Sequence, residues 1–288
     1  MKKITLILLL STSYIFSNIN VAVSILPQKT FVKAIGGDKV NVSLMVLPGN
    51  SPHTYEPKPS QMKSLTKATL YFAIGVEFEN VWLPKFKSLN ERMEVIDLTQ
   101  NILLLKMLRH TDHDIHDEHT HHLENNHAGT DPHIWTSPAN VRIIAKSIYE
   151  ALTKVDSANE KYYKKNYEIF IKHIDETHNK IVTILLAKPK GTKFMVFHPS
   201  WGYFAHAYGL TQLSVEMEGK SPKPKELIHL IKEAKEEKIA AIFTQAEFSD
   251  SIAKVIANEL QIKVIKVSPL SPKWSKNLIN IANAIAGN

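Results

Sequence analysis

The sequence predicts an α/β protein: two parallel-sheet lobes of the (βα)4 kind joined by one long, rigid connecting helix, with a ligand cleft between them. Three observations carry this. Short apolar runs alternate with helical periodicity along most of the chain, as in a parallel sheet covered on both faces. The 288 residues suffice for two domains of ordinary size. Between the two alternating regions, Asp156 to Ala187 contains neither Gly nor Pro. It repeats apolar side chains at Tyr163, Tyr167, Phe170, Ile174, Ile181 and Leu185, the three/four spacing of one helix face.

The elements follow in order. Val21 to Leu26 is an apolar run stopped by Pro27, hence a buried strand. Gln28 to Ile35 is helical and closes at Gly36-Gly37. Val40 to Leu47 alternates as a strand and turns at Pro48-Gly49-Asn50. A loop from Ser51 to Pro59 precedes a helix from Gln61 to Lys67, with Ser60 as its cap. Thr69 to Ile74 and Arg92 to Leu98 complete four strands, and a helix starts near Ser137. In the connecting helix, Ser157 is the expected N-cap with Glu160 as capping-box partner, and Pro189 and Gly191 end it. At 1.5 Å per residue it is about 45 Å long, more than one small domain is wide. The alternative is a long helix packed along a single domain. Beyond it come strands at Lys193 to Phe197, Thr211 to Met217, Ile239 to Thr244 and Ile262 to Val267. Helices are expected at Pro199 to Tyr208, Lys223 to Lys238, Ser249 to Leu260 and Trp274 to Ala286. The organisation is thus a leader (1–17), a first lobe (18–155), the linker helix (156–187) and a second lobe (188–288), with no residue-level repeat between the lobes.

Met1 to about Ser17 has two lysines followed by an apolar run, which reads as a cleaved secretory signal peptide, with an uncleaved anchor as the alternative. The chain has no cysteine, so it has no disulfide, no thiolate metal ligand and no lipidation site after the leader. A monomeric protein held in the periplasm fits these features. The formal charge is +7, or +5 without Lys2 and Lys3, and the basic residues are scattered without interleaved aromatics. Nucleic-acid binding therefore has little support.

Between Leu105 and Asp131 the alternation breaks. His110, His113, His116, His119, His121, His122 and His127 lie among Asp112, Asp114, Asp117, Glu118 and Glu124. The stretch is too polar to bury a core, and imidazoles at this density capture borderline divalent metals weakly at several places. Its placement inside the chain and its mixed acids argue against an expression tag.

Ligands of parallel α/β sheets bind beyond the carboxyl ends of the strands. His53 follows the second strand, His133 ends the polar stretch before a helix, His198 ends the first strand of the second lobe, and Glu247 follows Ile239 to Thr244. Each alone is more often a hydrogen-bonded structural residue, but their common placement points to one site. His173, His178, His206 and His229 do not share it. His178 belongs to the linker helix stripe, and His206 is two turns beyond His198, where it could only support the site from behind.

Three blocks sharpen the assignment. Pro52-His53-Thr54-Tyr55-Glu56-Pro57-Lys58-Pro59-Ser60, Asp131-Pro132-His133-Ile134-Trp135-Thr136-Ser137-Pro138 and Phe197-His198-Pro199-Ser200-Trp201-Gly202-Tyr203-Phe204 resemble the signature blocks of the metal-specific substrate-binding proteins of ABC importers. The likeness is closest to the zinc-uptake, ZnuA-like branch. It spans nearly the whole mature chain, the His-rich insertion included. It implies one metal held between two α/β lobes by His53, His133 and His198, and delivery to a membrane permease powered by a cytoplasmic ATPase. It implies no enzymatic activity. Manganese-branch members carry Glu at the place of His198 and Asp near Ser268, and this chain has neither. Where zinc-branch members often read Glu-Pro-Gln-Phe, it reads Gln245-Ala246-Glu247-Phe248, and Pro199 stands where an acidic residue is common. The fourth ligand is open between Glu247, a water and Asp250.

Three neutral imidazoles favour Zn²⁺ over Mn²⁺ or Fe²⁺, which prefer more oxygen. The alternatives are a manganese- or iron-binding relative, a secreted zinc hydrolase with Glu247 as base, or a metal-buffering adhesin. The hydrolase has no H-E-x-x-H to support it.

Overall fold

The computed structural model describes residues 18–107, 129–216, 221–239, 241–245, 247 and 250–287. The leader and the seven histidines from His110 to His127 lie outside the described residues. The first sheet is formed by β1 (Ile19–Val23), β2 (Val40–Leu44), β3 (Leu70–Ala73) and β4 (Glu94–Asp97), all parallel, in the order β2-β1-β3-β4. Helices α1 (Leu26–Gly36), α2 (Pro59–Leu65) and α3 (Glu77–Leu89) connect its strands, and α4 (Pro138–Val155) follows. The second sheet repeats the arrangement with β5 (Lys193–Val196), β6 (Thr211–Ser214), β7 (Ala241–Thr244) and β8 (Lys263–Lys266) in the order β6-β5-β7-β8. Its helices are α6 (Gly202–Tyr208), α7 (Pro224–Glu236), α8 (Ser251–Leu260) and α9 (Trp274–Ala286). The two halves thus share one topology without sharing a residue pattern. In each, the connections reverse direction between two central strands, opening a crevice at their carboxyl ends.

Burial explains why the strands were legible: β3 and β7 are buried at every residue, so both read as continuous apolar runs. Helix α1 buries Phe31, Val32 and Ile35 and ends at Gly37 with φ 55°. Any side chain there would be strained and would strike the Tyr162 hydroxyl of the long helix.

That helix, α5, runs from Glu160 to Leu185, 26 residues or about 39 Å. It lies against α1 and α4 of the first lobe and α9 of the second, so it bridges both rather than lining one. Its start departs from expectation. Ser157 to Asn159 forms a 3₁₀ turn, and no Ser157–Glu160 capping box closes. Asp156 organises the corner instead, accepting 2.7 Å hydrogen bonds from the Asn159 amide and the Tyr163 hydroxyl.

Other boundaries also shift. The expected helix from Pro199 begins only at Gly202, because Trp201 N–H is taken by the Gln212 side chain and Ser200 N–H by His198 C=O. Helix α2 starts at Pro59, ahead of the expected Ser60 cap, with Gln61 reaching back to Lys58 N–H. The sequence pattern predicts no helix at α3. Pro84 sits in its interior and masks the pattern, yet Phe78 and Phe86 bury one face.

One apolar core runs through both lobes, from Val23 and Phe31 through Phe170 and Ile174 to Phe204, Phe243 and Ile281. A smaller one lies on the far face of the second sheet, around Met195, Ile242 and Ile256. Phe31 meets Trp274 edge-on at 5.7 Å, and Thr30 donates to Pro272 C=O across the lobes. Among the described residues no helix is long and apolar enough to cross a membrane.

Candidate metal centre

The fold brings His53, His133, His198 and Glu247 to one cavity, and sets the three histidines by different local devices. After β2 the backbone continues along β1 through Met45 and Val46, then turns at Gly49. The turn carries His53 towards the N-terminus of α3, where its Nδ1–H donates to Glu77 at 2.8 Å. His133 is set by Asp131, whose one carboxylate oxygen accepts both the His133 backbone N–H (2.9 Å) and its Nδ1–H (2.7 Å). His198 lies two residues past β5. Its backbone is clasped by the Gln245 amide, and its Nδ1–H donates to Glu216, two residues past β6 and 2.9 Å away.

Every ring therefore donates through Nδ1 to a carboxylate. That fixes the tautomer and leaves Nε2 as the nitrogen through which each would ligate. The His198 ring centre lies 5.2 Å from that of His53 and 5.4 Å from that of His133. Two imidazoles on one tetrahedral ion, with metal–nitrogen bonds of about 2.0–2.1 Å, have ring centres about 5 Å apart. Among the described residues no group of three or more His, Cys, Asp or Glu is drawn together closely enough to hold a metal ion. The rings are arranged pairwise about His198, around a cavity of about 30 Å³ lined by His53, Glu77, His133, His198, Gln245 and Glu247. That space is about what a single ion or water occupies.

The three pairs differ in exposure. The side chains of His133 and His198 are each 7% exposed, whereas His53 is 28% and Glu77 61% exposed. Burial holds His198 below the ordinary imidazole range. Glu216 pulls the other way, and the His133 and His53 rings add to the lowering. His198 is thus neutral at pH 7, the form a metal requires.

Glu247 lines this cavity and also a neighbouring inter-lobe cleft of about 360 Å³, and it accepts a 2.9 Å bond from Ser268. Asp250 lines neither. Its carboxylate faces Lys254 at 2.9 Å and Lys266 at 3.8 Å. His173, His178, His206 and His229 are exposed and do not line the cavity. His178 stacks on Tyr208, and His206 gives no support from behind. That support comes from Glu77, Asp131 and Glu216, which the sequence reading did not single out. Asp131 was detectable, two residues before His133 in a short turn. Glu216 becomes a neighbour of His198 only once β6 pairs with β5. Gly202 completes the arrangement, since any Cβ there would collide with the Asp131 carboxylate.

Residues 21–286 match the family described as ZnuA, zinc-uptake complex component A, periplasmic. The chain belongs to this family. A zinc-binding protein AdcA of Streptococcus pyogenes serotype M3 is 27% identical over 269 residues, 90% of this chain and 52% of that protein. The chain thus spans about half the length of the first curated relatives it matches. The high-affinity zinc uptake system protein ZnuA of Bacillus subtilis is 29% identical over 85% of this chain and 76% of its own. A crystal structure of ZnuA superposes with a TM-score of 0.84 at 38% identity, covering 94% of this chain and 99% of that one. The two-sheet fold with its connecting helix is therefore that of the ZnuA family.

Proposed function

We propose that the chain is the periplasmic zinc-capturing component of an ABC importer. It holds one Zn²⁺ through Nε2 of His53, His133 and His198 and releases it to a membrane permease coupled to a cytoplasmic ATPase. Glu247 or a water completes four-coordination, and Asp250, committed to two lysines, is assigned no part. The observation that carries this reading is that His198 stands 5.2 Å from His53 and 5.4 Å from His133, each separation that of two imidazoles on one tetrahedral ion, with all three carboxylate-oriented rings lining a 30 Å³ cavity. The donor set also favours zinc over manganese. The function is binding and release, with no bond chemistry. The histidines from His110 to His127 act as additional weak sites that raise the local zinc supply.

Elemental analysis of protein purified without added metal tests the assignment, with about one tight zinc expected per chain. Manganese or iron in its place, or no affinity for zinc, would overturn it. Affinity also carries a pH signature. Because ligands must be neutral, binding weakens on acidification, by up to about tenfold per pH unit for each ligand taking a proton. His198 is held below the ordinary value of about 6.5, so its share of the loss falls below that pH. Without metal the sign is the same. The unfolded chain protonates this ring first, so its contribution to stability is present above about pH 6.5 and is lost as pH falls through the depressed folded value. Competition titrations between pH 5 and 8 read the effect, and an affinity unchanged across that range would contradict it.

A further inference from the structure

The first lobe carries a buried carboxylate that plays no direct part in the site. Glu79, 5% exposed on the first turn of α3, accepts the Ser24 hydroxyl and the backbone N–H groups of Ile74 (2.9 and 3.0 Å) and Gly75 (2.8 Å). Ser24 follows β1 and shares a 2.7 Å hydrogen bond with the Tyr71 hydroxyl of β3. The carboxylate therefore ties the carboxyl end of β1 to the β3–α3 turn. Two comparable turns are held by neutral amides: Gln28 clasps the turn after β1, and Gln245 the turn after β5. A buried acid costs more than an amide unless its extra acceptor capacity is used, and all of these backbone and serine partners of Glu79 are donors. Burial pushes its carboxyl up to about 7, with the Ser24, Ile74 and Gly75 bonds pulling it down and the charge of Asp97 pushing further up. A glutamine there copies the protonated group. The turn it clamps opens directly into Glu77, the residue that holds the exposed His53 ring.

We infer that Glu79 is a positioning residue for His53: by fixing the β3–α3 turn it places Glu77, and Glu77 orients the imidazole. This rests on the zinc-capture reading above. The exposed His53–Glu77 pair has little packing to hold it, unlike the enclosed His133–Asp131 and His198–Glu216 pairs, so its geometry depends on where α3 begins.

The test compares wild type with Glu79→Gln, Glu77→Gln, the double variant and the milder Ser24→Ala, in the full chain. Zinc competition titration is paired with nitrogen-15 NMR of the imidazoles in zinc-free protein. Loss of an outer partner of a metal-binding histidine costs about 10- to 100-fold in affinity. Glu77→Gln should fall at the lower end of that range, about tenfold, and Glu79→Gln about three- to tenfold. The double variant should be no weaker than Glu77→Gln alone. The His53 Nδ1 signal should change in Glu79→Gln and, less strongly, in Ser24→Ala, while those of His133 and His198 stay put. A lowered melting temperature with His53 and zinc affinity unaltered, equal changes at all three rings, or additive losses in the double variant would each overturn the inference. Failure of wild type to bind zinc would defeat the functional reading instead, and the NMR comparison would still decide the role of Glu79.

Discussion

Replacing His198 with alanine is expected to abolish tight zinc binding, lowering affinity by more than about 100-fold, beyond what losing an outer-sphere partner costs. His198 is the ring nearest both others, at 5.2 and 5.4 Å. It is also the one imidazole of the set supplied by the second lobe, so without it the ion is held from the first lobe alone. Zinc at 1,000 times its Kd stabilises a protein by about 4 kcal/mol, a rise of about 10 °C in melting temperature for a chain of this size. That rise should vanish in the variant at the same zinc concentration. Glu216 loses its imidazole partner as well, at a cost of about 1–3 kcal/mol. Each variant is therefore compared with its own zinc-free form. An affinity within about fivefold of wild type, a change of only about 1 kcal/mol, would remove His198 from the ligand set.

The largest stability effect is expected at Trp135. Its ring is buried beside His133, at 5.3 Å, and its Nε1–H donates to Pro269 C=O at 2.8 Å. In return Trp274 of α9 donates to Trp135 C=O, also at 2.8 Å. Each lobe thus grips the other immediately beside the cavity. Trp135→Ala removes a fully packed side chain next to His133, so a loss of about 3–5 kcal/mol is expected, together with weakened zinc binding. Trp135→Phe keeps most of the packing, loses the Pro269 bond and should cost about 1–2 kcal/mol. Denaturant unfolding of zinc-free protein distinguishes the two. Equal, small losses would mean that the lobes do not rely on this contact.

How much was legible in the sequence follows from where the information lies. Strands such as β3 and β7 are buried on both faces and announce themselves as apolar runs. Helix α5 was visible because 26 residues without Gly or Pro keep one apolar stripe. Helix α3 was lost to Pro84. Its loss hid Glu77 and Glu79, two acids whose roles depend on that helix beginning at residue 77. The three histidines could be singled out because each stands just past a strand or turn, a local signature. Their carboxylates were not, since Glu216 reaches His198 only through the pairing of β5 with β6. The failed Ser157–Glu160 cap has the same origin: Asp156 competes for that corner through Tyr163, a partner seven residues on.

The most direct measurement is zinc-edge X-ray absorption on protein lacking residues 110–127, loaded with one equivalent of zinc. The account predicts that this equivalent still binds tightly and shows three imidazole nitrogens and one oxygen at about 2.0–2.1 Å. Two or fewer imidazoles, or loss of the tight equivalent when that segment is removed, would contradict it.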